Sequence, residues 1–302
     1  MHSLDFEEFL WALGYDDSIR NDIVSHMESM APFTPAILKI YDDLFLDYCI
    51  VGGMPNVVKN YVSKNTFEDT LELQRQIIVG YEADMRKYAI GLDKSRIKNV
   101  FLSIPFQLGK ENEKFQISKV RPGAKFKDYR GTIECLEDAG IINISHAFQT
   151  PELPLKGNVI EDCCVLYYAD SGLLLSQLDD EAQLDFRQNK NFDVYKGGFF
   201  ESIIGEALVK SGYELHYFKK ENSTLQEEFF VRHKGELVPI EVKAGNNNSK
   251  SLSTLIHSDK YKEIHFGIKI VKGNIGFSSN IYTFPHFCAF LLKEFLQTLD
   301  AI

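Results

Sequence analysis

The stretch from Leu225 to Lys243, LQEEFFVRHKGELVPIEVK, constrains the fold of this chain more than any other. It predicts two short β-strands joined by a turn at 233–236, because a bulky β-prone run is followed by an alternating one. Side chains of one parity share a face of a strand. Three apolar side chains of the second strand should therefore face a core: Val238, Ile240 and Val242. Glu241 and Lys243 should project together from the opposite face.

Acidic and basic side chains converge at the ends of these paired strands. Glu228 lies near the start of the first strand and is placed to reach Glu241 and Lys243. Two carboxylates fit Mg²⁺, which prefers oxygen ligands, and a lysine can stabilise phosphate charge or assist an attacking water. The alternative is a hairpin with a solvated charged face, which is the ordinary explanation of an E-x-K triplet.

An upstream segment, 197–208, adds a further acidic residue. Its periodicity predicts a helix with an apolar face formed by Phe200, Ile203, Ile204, Ala207 and Leu208. Glu201 falls on that inward stripe, three residues before Ile204. An ionisable group that faces inward is costly unless it is paired, hydrogen-bonded or bound to a metal. Glu206 is expected to be an ordinary surface residue.

The order of a helix glutamate, a strand acid and an E-x-K triplet resembles the PD-(D/E)XK restriction-endonuclease-like superfamily. The resemblance implies a catalytic set of Glu201, Glu228, Glu241 and Lys243. It also implies that Glu228 and Glu241 hold Mg²⁺. The superfamily usually has aspartate at the first strand position, where this chain has Glu228.

Composition narrows the class of protein. The chain has 302 residues and a formal net charge of −10, which argues against a nucleic-acid coat over its whole surface but permits a local basic site. Its five cysteines form no C-x-x-C pair, which is typical of reduced thiols and predicts a cytoplasmic protein. There is no signal peptide, and no apolar run reaches about 18 residues, so no membrane association is expected. No P-loop motif occurs, so no nucleotide site is predicted.

The first part of the chain, 1–92, is predicted to be an all-α region. Helical patterns cover 4–30, 36–49, 56–62 and 66–87. The pair Gly52-Gly53 is interpreted as a helix–helix corner, with a phosphate-binding turn as the alternative.

A winged-helix-like unit is predicted over 93–155. Helices at 96–106, 115–120 and 125–139 precede a strand at 141–148, and the third helix of such a unit enters the major groove. Seven basic and three acidic residues lie between Lys110 and Arg130. Five of the basic residues are predicted to contact nucleic acid: Lys119, Arg121, Lys125, Lys127 and Arg130. Such contacts neutralise phosphates without reading sequence. The alternative is a solvated helix surface.

The remainder, 156–302, is predicted to be a restriction-endonuclease-like α/β domain. A strand from 165 leads through Asp170 into a helix, and Asp170 or Ser171 is a natural cap. A polar connector at 179–191 follows, then strands at 213–218 and 264–271 and a closing helix at 284–299. The fold class is therefore α+β or α/β, with an N-terminal all-α region.

Several stretches together resemble one family. They are SLDFEEFL at 3–10, GGMPNVV at 52–58, YEADMRKYA at 81–89, IPFQLGKENEKFQISKV at 104–120, LYYADSGLL at 166–174, GGFFE at 197–201 and PIEVKAGNNNSKSL at 239–252. They resemble the C-terminal region, a domain of unknown function, of prokaryotic AAA-family ATPases. In that family a P-loop ATPase module precedes this region, and Met1 corresponds to a position near the end of that module. The resemblance implies an ATPase module as partner in a longer protein.

Three functions remain open at this point. The first is a nucleic-acid-associated module that hydrolyses phosphodiester bonds with Mg²⁺. The second is a non-catalytic module that binds DNA, another nucleic acid or a protein. The third is a structural role in forming oligomers of the ATPase or regulating it.

Overall fold

The computed structural model describes residues 2–88, 93–108, 114–189, 197–221, 223–245 and 250–299. Its α-helices are α1 (Phe6–Ala12), α2 (Ser18–Ser29), α3 (Pro35–Val51), α4 (Pro55–Lys64), α5 (Thr70–Tyr88), α6 (Lys94–Leu108), α7 (Ile117–Val120), α8 (Arg130–Asp138), α9 (Ser171–Ser176), α10 (Asp180–Asn189), α11 (Gly198–Lys210), α12 (Lys250–Ile256) and α13 (Leu292–Thr298). Short 3₁₀ segments lie at Phe126–Asp128, Leu155–Gly157 and His286–Leu291. An N-terminal helical region thus precedes the sheets, as predicted. No helix in the described part of the chain combines the length and the apolar run that crossing a bilayer requires.

The strands form two mixed sheets. They are β1 (Ile142–Phe148), β2 (Val159–Tyr168), β3 (Leu215–Lys219), β4 (Gln226–Glu227), β5 (Phe229–His233), β6 (Glu236–Lys243), β7 (Gly267–Val271), β8 (Gly276–Ser278) and β9 (Ile281–Pro285). The first sheet has the order β2-β1-β3-β4, and the second has the order β5-β6-β7-β9-β8. The strands β1 and β3 are parallel, as are β6, β7 and β9.

The N-terminal helices begin and end at recognisable signals. Asp5 forms a capping box with Glu8 at the start of α1. Helix α3 ends at Val51 and is capped by Gly52, whose φ of 72° lies in the region that favours glycine, and α4 starts three residues later at Pro55. The prediction of a helix–helix corner at this glycine pair is confirmed.

Residues 94–168 contain three helices and an antiparallel strand pair, β1 and β2. The predicted third helix at 125–139 is wrong in extent. The chain forms a 3₁₀ turn at Phe126–Asp128 and a shorter helix from Arg130, because Tyr129 at the junction has φ −120° and interrupts the helical backbone.

The bent strand formed by β4 and β5 joins the two sheets. Glu228 is the single residue between them, so β4 pairs with β3 while β5 pairs with β6. The hairpin of β5 and β6 turns at Lys234, with φ 52°, and Gly235, as predicted. The order along the chain is helix α11, strands β3 to β6, helix α12 and strand β7.

Helix α11 lies at the centre of the molecule. Every residue from Gly198 to Leu208 is buried except Glu201. A helix that is covered on all sides belongs to a core. One continuous cluster of buried side chains extends from Phe6 through this helix to Leu296. The domain boundaries predicted at 92/93 and 155/156 stay predictions.

Two further segments differ from the sequence-based expectation. The predicted polar connector at 179–191 contains helix α10, because Ala182 and Phe186, four residues apart, bury one apolar face. The predicted closing helix at 284–299 is shorter. Residues 281–285 form strand β9, which pairs with β7, and regular α-helix starts only at Leu292.

Candidate functional site

Three of the four predicted catalytic residues meet where the bent strand crosses β6. The backbone N–H of Val242 donates to Glu228 Oε2 at 3.2 Å. Lys243 Nζ lies 3.1 Å from Glu241 Oε1 and 3.7 Å from Glu228 Oε1. The ammonium of Lys243 therefore bridges the two carboxylates, on the face of the sheet that the alternation predicted.

Burial is uneven within this group. The Glu241 and Glu228 side chains are 4% and 10% exposed, whereas Lys243 is 32% exposed. Burial lowers the pKa of Lys243, but the attraction of Glu228 and Glu241 outweighs it and leaves that pKa above its ordinary value. Lys243 is thus a charged side chain at the solvent-exposed edge of the group, and the two carboxylates lie beneath it in the interior.

Glu227 is a third buried carboxylate that the sequence analysis did not include. It is 1% exposed, and neither of its side-chain oxygens has a hydrogen-bond partner within the described residues. Burial, followed by repulsion from Glu228 and Glu241, raises its pKa well above the ordinary value. Glu241 Oε2 is also buried without a partner. Such groups are costly unless they are protonated or neutralised by a cation.

Glu201, the fourth predicted residue, shares a hydrogen bond with Tyr167. Tyr167 is fully buried at the end of β2, and burial, together with the charges of Glu201 and Glu228, raises its pKa well above the ordinary value. Its hydroxyl group therefore remains protonated, beside Glu201 and near the charge of Glu228. The sequence-based prediction gave Tyr167 no role at this site.

Lys269 on β7 is a second basic residue at the site. It pairs in register with Glu241, so the two side chains share a face. Burial lowers its pKa, and the attraction of Glu241 partly offsets this effect. A lysine inside an apolar β-strand run, GIKIV, was the available sequence signal.

The donors present suit a hard cation. Buried carboxylate oxygens without partners, on Glu227 and Glu241, are the ligand type that Mg²⁺ prefers. No three His, Cys, Asp or Glu side chains within the described ranges are already arranged to hold a metal ion. Glu228 and Glu241, the predicted ligands of the ion, are both contacted by Lys243 Nζ in this structure, and metal binding by them stays a prediction.

The predicted nucleic-acid contacts extend from helix α7 to the first residue of α8. Lys119, Arg121, Lys125 and Lys127 are exposed. Arg130 is half-buried, and its guanidinium forms ion pairs of 2.6 Å with Glu161 and with Asp162 on β2. Lys110, which contributed to the predicted basic charge, lies outside the described residues.

The expectation that Glu206 is a surface residue is wrong. Glu206 is buried and accepts hydrogen bonds from the Tyr48 hydroxyl at 2.8 Å, from the Ser171 N–H at 2.9 Å and from Lys210 Nζ at 2.6 Å. The helix face that carries it is covered by the N-terminal segment, because Lys210 Nζ also donates to the Leu4 carbonyl at 2.7 Å.

Asp170 has a structural role. Its Oδ1 accepts from the Leu173 N–H at 3.0 Å and caps α9, as predicted, while its Oδ2 accepts from the Gly53 N–H at 2.8 Å. The glycine pair allows this close packing: a Cβ on Gly52 would lie 2.3 Å from Asp170 Oδ1, and a Cβ on Gly53 would lie 1.9 Å from the Leu4 carbonyl oxygen.

Comparison with known families matches two parts of the chain. Residues 42–184 match the model of a domain of unknown function, DUF8612. Residues 196–287 match the model of a second domain of unknown function, DUF4143, a domain often found C-terminal to AAA ATPases. No P-loop family is matched. No curated protein matches the chain, and no solved structure does.

Proposed function

We propose that this chain is a nucleic-acid-associated module in which a PD-(D/E)XK-like unit, α11 to β7, hydrolyses phosphodiester bonds with Mg²⁺. The observation that carries the proposal is the convergence of Glu228, Glu241 and Lys243, with unpartnered carboxylate oxygens beneath them. The order of helix α11, strand β3, the bent strand of β4 and β5, strand β6, helix α12 and the parallel strand β7 supports it.

The side chains of the site would have different roles in this reaction. Bound Mg²⁺ would supply positive charge to a phosphate oxygen and lower the pKa of a bound water. Lys243, the most exposed member, is placed to donate to the phosphate as charge develops there. Tyr167 holds Glu201 by a hydrogen bond and so fixes one edge of the site.

We place the nucleic acid on the exposed basic residues ahead of α8. Lys119, Arg121, Lys125 and Lys127 would neutralise phosphates in a salt-dependent manner. Arg130 would contribute less, because Glu161 and Asp162 already neutralise it. The DUF4143 match supports an AAA-family ATPase as the partner module.

A second candidate is a non-catalytic module that binds nucleic acid or protein. One observation favours it: Lys243 already compensates Glu241 at 3.1 Å, so the site can be neutralised without a metal. The two candidates differ in whether the function of the site requires Mg²⁺.

The test is cleavage of labelled single- and double-stranded DNA and RNA by the full chain with Mg²⁺ or Mn²⁺. We expect metal-dependent cutting that Lys243→Ala lowers by at least about a hundredfold. Lys262→Ala, at an exposed lysine before β7, is the matched control and should cut normally.

Cutting that survives Lys243→Ala would refute this site. Salt-sensitive binding without cutting would support the second candidate. If the chain neither cuts nor binds nucleic acid, both the nuclease proposal and the nucleic-acid-binding proposal are refuted.

A further inference from the structure

A cleft of about 580 Å³ opens between the first sheet and the ends of α8 and α11, and no residue of the carboxylate site lines it. Clefts of this volume are in the range that holds bound ligands. Its lining includes three histidines and three glutamates: His2, His146, His216, Glu137, Glu161 and Glu214. No motif in the sequence analysis, and no residue of the proposed nuclease-like site, belongs to it.

Two of the imidazoles come from neighbouring strands. His146 on β1 and His216 on β3 are register partners in a parallel pair, so their side chains share one face. Parallel strands lie about 4.8 Å apart, so the two histidine side chains start from neighbouring positions on that face. The Phe148 ring stacks on His216 with a centroid distance of 4.7 Å and fixes its orientation.

Neither imidazole is fully satisfied within the described residues. The Nδ1 atoms of His146 and His216 are both buried and have no hydrogen-bond partner. His216 is 3% exposed. Buried polar atoms without partners are rare in folded proteins, and each calls for an explanation such as an ion.

The surrounding charge is predominantly acidic. Glu137, Glu161 and Glu214 line the cleft, with Lys156 as the basic residue among the lining side chains. Lys156 lies 3.7 Å from Glu214 and is strongly exposed. Arg130 pairs with Glu161 at 2.6 Å, so basic side chains offset two of the three lining glutamates, which remain available as carboxylate ligands only.

We propose that this cleft binds one divalent transition-metal ion of the zinc class through His146 and His216. Imidazole nitrogens suit Zn²⁺, Ni²⁺ or Cu²⁺, whereas Mg²⁺ prefers an all-oxygen site. The described residues hold no ready-made set of three donors, so a third ligand has to swing in. Glu214 lines the cleft with a side chain that is 67% exposed and would be this third ligand in exchange for its ion pair with Lys156, and water would complete the shell.

The test is calorimetric titration of Zn²⁺ into the full chain without a polyhistidine tag, in excess Mg²⁺ so that carboxylate-only sites are occupied. Co²⁺ absorption provides a second readout of imidazole ligation. We expect one Zn²⁺ per chain, and His146→Gln should weaken binding by at least about tenfold. The control is His265→Gln, an exposed histidine next to the other sheet, which should bind normally.

His146→Gln is the decisive variant because His146 is only half-buried, whereas His216 supports the Phe148 ring. Far-UV circular dichroism checks that each variant folds. Undetectable Zn²⁺ binding by the unmodified chain, or equal affinity of His146→Gln and the unmodified chain, would overturn the proposal. Equal weakening by His265→Gln would show adventitious surface binding and overturn it too. Glu241→Gln should leave Zn²⁺ binding unchanged, which separates this proposal from the nuclease-like one.

Discussion

The buried ion pair between Glu206 and Lys210 makes a sharp prediction about stability. Their side chains are 1% and 6% exposed, and Lys210 Nζ lies 2.6 Å from Glu206 Oε1. In the variant Lys210→Met, Glu206 keeps its burial and loses its countercharge. Removal of one partner from a buried pair costs about 3–5 kcal/mol of unfolding free energy.

The local contacts refine this value. The Glu206 carboxylate would still accept from Tyr48 and Ser171, which favours the lower end of the range. The Leu4 carbonyl would lose its hydrogen bond from Lys210 at 2.7 Å, which adds about 1 kcal/mol. We therefore expect Lys210→Met to lower the unfolding free energy by about 4 kcal/mol.

Urea unfolding followed by far-UV circular dichroism measures this change. Lys220→Met, at an exposed lysine, is the matched control and should stay within about 0.5 kcal/mol of the unmodified chain. A double-mutant cycle with Glu206→Gln should give a coupling energy of at least about 1 kcal/mol, because the two residues are in direct contact.

The pH dependence of the unfolding free energy tests the same reasoning about Lys210→Met. Burial raises the pKa of Glu206, and Lys210 is the strongest influence that lowers it. Without Lys210 the folded chain holds this proton more tightly than the unfolded chain, so the variant should lose stability as pH rises above about 4.5. The deficit should therefore be smaller near pH 5 than near pH 8. A loss under about 1 kcal/mol, or a coupling energy of zero, would refute the reasoning.

Two further predictions concern the carboxylate site and the glycine corner. In chelator-treated buffer, Glu227→Gln should make the unfolding free energy depend less on pH. The raised pKa of Glu227 makes the unmodified chain lose up to about 1.4 kcal/mol of unfolding free energy per pH unit above pH 4.5. Equal pH slopes of the two chains in urea unfolding series would contradict this. Gly53→Ala should cost about 1–3 kcal/mol or more, because its Cβ would lie 1.9 Å from the Leu4 carbonyl oxygen, whereas Gly235→Ala meets nothing within 4 Å. Thermal unfolding of both variants compares them, and equal midpoints would be inconsistent with the crowding.

The strand part of the candidate site was readable from sequence. Alternation within LVPIEVK fixes which side chains share a face, and the turn at Lys234-Gly235 fixes the pairing. These two local signals suffice to bring Glu241 and Lys243 to one side of the sheet. Their chemical role stays a prediction.

Glu227 and Glu206 were missed for different physical reasons. In a regular strand, adjacent side chains point to opposite faces. The bend at Glu228 interrupts this alternation, so the neighbouring side chains of Glu227 and Glu228 both point toward the interior. Glu206 is covered by segments far away in sequence, at Leu4, Tyr48 and Ser171. Helical periodicity describes only the helix itself and carries no information about those segments.

The imidazole pair was also outside the reach of local patterns. His146 and His216 are separated by 70 positions and become neighbours only because β3 pairs in parallel with β1. Parallel pairing requires a long crossover, and nothing in either strand specifies its partner.

Helix α11 also bears on how the molecule unfolds. One of its faces contacts β2 and α9, which lie within the DUF8612 match, while the helix itself lies within the DUF4143 match. A polypeptide cut between 189 and 197 would leave that helix with an uncovered apolar side and the first piece with an open core. The two matched regions therefore share a single cooperative unit, and heat or denaturant should disrupt them in one transition.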